Sequence, residues 1–184
     1  MSRGIIIFGP AGSGKTSLGR MVGETLNFPY YDIDDYIWRW DTPVPYTQMY
    51  TREEKISGLM NAISAAPDFV MAGSMSSFHE HFDPLFDLAV LLTAHPALRM
   101  ARVCARERAK YGDRLLPGGD MYESHMRFRR EVDNYESGIG SPTLQEHTAW
   151  LHSLPCRTLR LDGSRPLEEN CSKIVRAYQE IQHR

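Results

Sequence analysis

The chain has 184 residues, 42% hydrophobic and 24% charged, and its 21 Lys and Arg against 23 Asp and Glu give a formal charge of -2. That length suits one domain burying roughly 70% of its unfolded surface. The near balance of charge excludes a global attraction to nucleic acid or acidic membrane, so anion binding has to come from a local arrangement of donors. Cys104, Cys156 and Cys171 form no CxxC pair and are odd in number, which suits a reducing, cytoplasmic setting.

Ile5 to Phe8 is a β-branched run bounded by glycines and reads as a buried parallel strand; it is too short for a signal-peptide core or a membrane span. Lys15 to Leu26 reads as a helix, Phe28 to Asp32 as a second strand, and Asp34 to Trp40 as a brief helix ended by Asp41, Pro43 and Pro45. Thr51 with Glu54 makes a capping box for a helix from about Arg52 to Ala66. Asp68 to Ala72 and Leu88 to Leu92 are continuous apolar runs expected to be strands three and four. Helical spacing resumes over Pro96 to Lys110, breaks at the glycine-rich loop Tyr111 to Asp120, and returns over Met121 to Glu136 and Pro142 to Leu151. Arg157 to Leu161 is expected as the fifth strand and Pro166 to Gln182 as a closing helix with proline in its first turn. Strands alternating with helices give an α/β class with a parallel sheet, and the carboxyl ends of its strands should share one ligand-binding rim.

At that rim Gly9, Pro10, Ala11, Gly12, Ser13, Gly14, Lys15 and Thr16 match G-x-x-x-x-G-K-[ST] between a strand and a helix, with Ser17 following. Glycines let successive N–H groups face a polyphosphate at the positive end of the helix. Lys15 then bridges the outer phosphates and Thr16 is a ligand for Mg²⁺. No N-K-x-D sequence for reading guanine is present, so ATP is preferred to GTP.

Asp32, Asp34 and Asp35 follow the second strand. If the strand continues through them, Asp32 and Asp34 share a face; one carboxylate can then serve the metal and the other orient or deprotonate an acceptor hydroxyl. Asp35 is expected to cap the next helix, and all three could equally be helix N-terminal acids favoured by the helix dipole.

On these residues the chain resembles the nucleoside-monophosphate-kinase-like branch of P-loop kinases, which includes adenylate, shikimate and gluconate kinases. Tyr31-Asp32-Ile33-Asp34 is similar to the D-x-D segment of shikimate kinases. The resemblance implies a three-layer P-loop NTPase fold, a five-stranded parallel sheet in the order 2-3-1-4-5, and one domain over residues 1–184 with a small lid at about 108–122. It assigns Asp32 with Thr16 to the metal side and Asp34 to the acceptor side, with ATP and Mg²⁺ as cofactors. Where shikimate kinases carry a glycine triplet, this chain has Gly73-Ser74-Met75-Ser76-Ser77, and their acceptor-binding arginine has no counterpart among Glu53-Glu54-Lys55. Both departures argue against shikimate.

Arg99, Arg102, Arg106 and Arg108 lie on one helix and Arg114 in the following loop, a placement similar to the lid of this branch. Arginines brought in by a closing loop stabilise charge in the transferred group and exclude water; Arg106 and Arg114 are the expected pair, although helix arginines equally serve as surface partners of acids. Leu161 to Pro166 resembles the loop that closes over adenine. Tyr30, Tyr31, Tyr36, Trp38, Trp40 and Tyr46 are dense enough to line an acceptor pocket or to pack in the core, and His79 with His81 lacks a third metal ligand.

The expected activity is ATP-dependent phosphoryl transfer to a nucleotide or other small acceptor, with no nucleic-acid or membrane partner. The competing expectation is an ATPase or nucleotide-dependent switch acting with a protein partner. The third strand and the glycine after it, ending Phe69-Val70-Met71-Ala72-Gly73, lack the acid of a Walker B segment, which weakens that alternative; the kinase reading tolerates the lack if Asp32 supplies the metal-side carboxylate.

Overall fold

The five expected strands become β1 (Arg3–Phe8), β2 (Tyr30–Asp32), β3 (Asp68–Ala72), β4 (Phe86–Thr93) and β5 (Arg157–Asp162). A computed structural model describes residues 3–182; residues 1, 2, 183 and 184 lie outside the described residues. Every strand pair is parallel, and the sheet runs β2-β3-β1-β4-β5. β1 is central because it is apolar on both faces: Ile5, Ile6, Ile7 and Phe8 are all fully buried.

Alternation along the strands sorts the core into two layers. Ile6, Phe8, Met71, Ala89 and Leu91 face Leu59 and Ile63 of α3 (Arg52–Ser64) and Trp150 and Leu151 of α6 (Leu144–Ser153). Ile5, Ile7, Val70, Ala72, Leu88 and Val90 face Leu18 and Val22 of α1 (Lys15–Leu26) and Ile174, Ala177 and Tyr178 of α7 (Leu167–Gln182). Each such buried aliphatic or aromatic side chain contributes about 1.5–3 kcal/mol relative to exposure. The result is the three-layer α/β fold that the sequence leads one to expect, in the expected strand order.

Two differences have local causes. The second helix, α2 (Asp34–Ile37), stops before Trp38, which turns extended and pairs antiparallel with Met49. The glycine-rich segment after α4 (Pro96–Tyr111) is not all irregular: Gly112–Leu115 forms a 3-10 turn, and α5 (Tyr122–Asn134) follows. Leu115 and Met121 pack with Tyr111 against Val44 and Tyr46, so the 111–121 segment is seated on the 41–46 loop. Among the described residues no helix is long and apolar enough to cross a membrane.

Candidate active site

The carboxyl end of β1 delivers the chain into residues 9–14, and α1 begins at Lys15 with Gly14 in the left-handed region at φ 100. Gly12 shows why the loop needs glycine. Its φ is +79, and a Cβ there would collide with the backbone carbonyl of Arg99. α4 therefore presses on the loop from outside and fixes its curvature. The first-turn amides of α1 have no intrahelical acceptor, and the buried Ser13 Oγ has no hydrogen-bond partner among the described residues. These donors, a tight glycine cradle and a helix N-terminus fit a polyphosphate.

Lys15 Nζ donates to the Pro10 carbonyl at 2.8 Å. Desolvation by the surrounding loop lowers its pKa to about 8, opposed by the charges of Asp34 and Asp32 and aided by that of Arg106. Thr16 Oγ1 donates to Asp32 Oδ2 at 3.4 Å, Tyr30 donates to the same oxygen at 3.2 Å, and the Asp34 amide donates to Asp32 Oδ1 at 3.2 Å. A hydroxyl beside a carboxylate is a hard oxygen pair that suits Mg²⁺.

Strand β2 ends at Asp32, so Asp34 does not share a strand face with it; Asp34 opens α2 instead. The capping expectation for Asp35 also changes. The N-cap position is Ile33, with no side-chain cap, and it is Asp32 that accepts from the Asp34 amide. Asp34 keeps accessible surface yet sits among protein groups. Desolvation, then the charge of Asp32, raise its pKa, while Lys15 and Arg106 pull the other way.

The arginines of α4 divide by function. Arg99 is fully buried, donates to both Glu136 oxygens at 2.5 and 2.6 Å and to the Ala94 carbonyl at 3.1 Å, and lies over the Tyr135 ring. It braces α4 against α5 and is no lid residue. Arg102 donates to the carbonyls of Gly163 at 3.0 Å and Gly12 at 3.4 Å, joining the phosphate loop to the turn after β5. Arg106 is within electrostatic reach of both Lys15 and Asp34 and bonds Glu107 at 3.1 Å. Arg114 is held by Asp120 at 2.7 and 2.9 Å and by the Pro43 carbonyl at 3.0 Å, where it ties the turn after α4 to the 41–46 loop. Lys15, Thr16, Asp32, Asp34 and Arg106 thus come together, while the hydrogen bonds of Arg114 run to Asp120 and the 41–46 loop.

Three features escape the sequence reading. Lys55, named in the sequence only within Glu53-Glu54-Lys55 where an acceptor-binding arginine has no counterpart, is 9% exposed, with Nζ at 3.6 Å from Met49 Sδ and no ion pair among the described residues. It lies one turn before the buried Leu59 on α3, on the same face and toward the strand rim. Second, His147 is 1% exposed and bonds Ser74 Oγ through Nε2 at 2.9 Å and the Tyr135 hydroxyl through Nδ1 at 2.8 Å. Its edge packs on Phe8. Burial, with a smaller push from Lys15, lowers its pKa to about 3. Third, α6 begins with a capping box, Thr143 with Glu146, whose T-x-x-E pattern is the signal that could have marked the start of the helix carrying His147. Of the aromatic residues, Trp38 and Trp40 pack edge-on against Tyr46, while His79 pairs with Asp83 at 2.8 Å.

A family model described as shikimate kinase matches residues 11–55, the stretch from the phosphate loop to the start of α3. A shikimate kinase of Limosilactobacillus fermentum is 28% identical over 123 residues, covering 61% of this chain and 71% of that protein. The uncharacterized protein YqaC of Bacillus subtilis is 25% identical over 178 residues, 95% of this chain and 97% of that one. Among solved structures, a shikimate kinase from Bacteroides thetaiotaomicron superposes with a TM-score of 0.53 at 18% identity, over 100% of this chain and 99% of that one. A gluconokinase from Sinorhizobium meliloti superposes at 0.52 and 18% identity, over 98% and 95%. Sheet order, phosphate loop and these likenesses agree: the chain has the fold of P-loop kinases of the nucleoside-monophosphate-kinase-like branch.

Proposed function

We propose that the protein is an ATP-dependent phosphotransferase that moves the γ-phosphoryl group of ATP to a hydroxyl or phosphate oxygen of a small metabolite. The observation that carries this reading is the pair of carboxylates set at different stations beside one phosphate loop. Asp32 is bonded to Thr16, and Asp34 shares an electrostatic neighbourhood with Lys15 and Arg106. A simple ATP-binding switch needs only the first.

In this reading the loop amides and Lys15 hold the outer phosphates, and Thr16 with Asp32 would hold Mg²⁺, which neutralises phosphate charge when bound. Asp34 orients the acceptor and takes its proton. Burial and the charge of Asp32 raise its pKa, which makes the carboxylate a stronger base, and the charges of Lys15 and Arg106 oppose that rise. Arg106 adds positive charge where the transferred group becomes most negative. Lys55, buried without a carboxylate partner among the described residues, favours an acceptor that itself carries an anionic group.

The test is incubation with Mg-ATP and a panel of nucleoside monophosphates, nucleosides, sugar acids, shikimate and aminoglycosides, with phosphorylated product read by mass spectrometry. A product made by the wild type and absent with Lys15→Ala supports the reading. ADP and free phosphate released at one rate whatever the acceptor would instead favour an ATPase or switch.

A further inference from the structure

The mechanism above leaves unused a buried hydrogen-bond chain, Tyr135 to His147 to Ser74, that runs from the α5 end of the molecule to the segment after β3. Its proton order follows from elementary satisfaction. Tyr135 is 2% exposed, and its hydroxyl bonds the Nδ1 of His147. Were the phenol the acceptor, its own hydrogen would be buried without a partner, at the cost of an unmade bond. The phenol therefore donates. Nδ1 is then bare, so a neutral ring carries its proton on Nε2 and donates it to Ser74 Oγ at 2.9 Å. Burial and the nearby Lys15 ammonium both keep the ring neutral.

Ser74 is left as an acceptor toward the protein with its own hydrogen directed elsewhere. Ser76 Oγ stands 3.0 Å away and is exposed, so that bond is readily exchanged for a ligand oxygen. The location is informative. Gly73, the preceding residue, donates its amide to the Ile7 carbonyl, which places Ser74 beside the start of the phosphate loop. His147 packs on Phe8, the last residue before that loop, and feels the charge of Lys15.

We propose that Ser74 is a fixed hydrogen-bond donor to the outermost phosphoryl group of ATP, and that His147 and Tyr135 are positioning residues that set the direction of its hydroxyl. This rests on ATP binding at residues 9–16. It assigns a ligand contact to the serine that replaces glycine in this segment. Aligned in advance, the hydroxyl meets the phosphate without reorienting, which is worth most in a site from which water is excluded.

Calorimetry with Mg-ATP and Mg-ADP, together with ¹⁵N-histidine spectra of the ligand-free protein, tests both parts. Ser74→Ala should weaken Mg-ATP about tenfold, equivalent to ~1.4 kcal/mol, while leaving Mg-ADP unchanged, because only ATP has the outer phosphate. His147→Leu should give a similar split, and His147→Gln, which keeps a donor near the Nε2 position, should restore most of it. The His147 resonances, assigned by their loss in His147→Gln, should show a neutral ring protonated on Nε2, and Tyr135→Phe should mix the tautomers. An equal effect of Ser74→Ala on both nucleotides, or none on either, overturns the contact; a proton on Nδ1 in the wild type overturns the positioning. Failure of the underlying reading looks different, since Lys15→Ala would then leave binding of both nucleotides as it was, and that result removes the proposal as well.

Discussion

Between β1 and α1 the site is made of backbone, whereas across the rim it is made of side chains drawn from α2, α3, α4, α6 and the segment after β3. The phosphate loop lies within one stretch of sequence, its shape set by a left-handed Gly12 pressed against Arg99 and by the start of a helix. Across the rim stand Asp34, Ser74, Arg106 and His147, with Lys55 buried on α3, residues that lie far apart in the sequence. Backbone donors are the same in every protein, so the first region suits a ligand common to many enzymes. Side-chain donors can change one by one, so the second suits a ligand particular to this one.

The two regions should respond differently to mutation, and the largest effects belong to the first. Gly12→Ala forces a Cβ into the Arg99 carbonyl at an unfavourable φ, and Lys15→Ala removes the bridging cation. Each should lower turnover at least about 100-fold, with nucleotide binding lost alongside it in a titration with a fluorescent ATP analogue. Because Lys15 titrates near 8 in the free protein, Mg-ATP binding at pH 8 to 9 should take up protons, seen as a dependence of the binding heat on buffer ionisation enthalpy. A constant heat across buffers would remove Lys15 from the phosphate contact.

Asp34→Asn should lower kcat by about 10²–10⁴-fold while Mg-ATP binds as before. Weakened ATP binding comparable to that of Lys15→Ala would dissolve the distinction between the two regions. Glu136→Ala is a third, structural probe. It leaves the fully buried Arg99 guanidinium without its carboxylate. Glu136 is partly exposed, so the loss of stability in a urea titration should fall toward the low end of about 3–5 kcal/mol. No change in the urea midpoint would show that α4 and α5 are braced by other contacts.

The parallel sheet and α1 were legible because apolar runs and a glycine-rich loop are local signals, and β1 needs both faces buried wherever it sits; the strand order came only with the family resemblance. The end of β2 was not. Asp32 and Asp34 have the spacing of one strand face, but the Asp34 amide turns back to the Asp32 carboxylate and opens a helix there. Arg99 shares a helix with Arg102 and Arg106, and spacing alone could not say that one is sealed under α5 while another reaches the Gly163 carbonyl. His147 carried no signal at all, since a lone histidine between a capping box and Trp150 takes its meaning from Ser74 and Tyr135, which are distant in sequence.

That histidine supplies a smaller effect. Its folded pKa of about 3 lies below the ordinary 6.5, so the unfolded chain binds a proton that the native state refuses. Stability should therefore fall as pH drops from 6.5 toward 3, by up to ~1.4 kcal/mol per pH unit from this group, and His147→Gln should flatten the curve in that window. Arg114→Ala is expected to do least to stability, under about 1 kcal/mol, because its partner Asp120 is exposed.

The most direct measurement of the central claim is ADP formation from Mg-ATP by the wild type, Lys15→Ala and Asp34→Asn, with and without the acceptor that gives phosphorylated product. The account predicts acceptor-dependent turnover in the wild type, none with Lys15→Ala, and for Asp34→Asn a large loss of the acceptor-dependent rate with ATP binding intact. Turnover indifferent to every acceptor, or an acceptor-dependent rate that survives in Asp34→Asn, would contradict it.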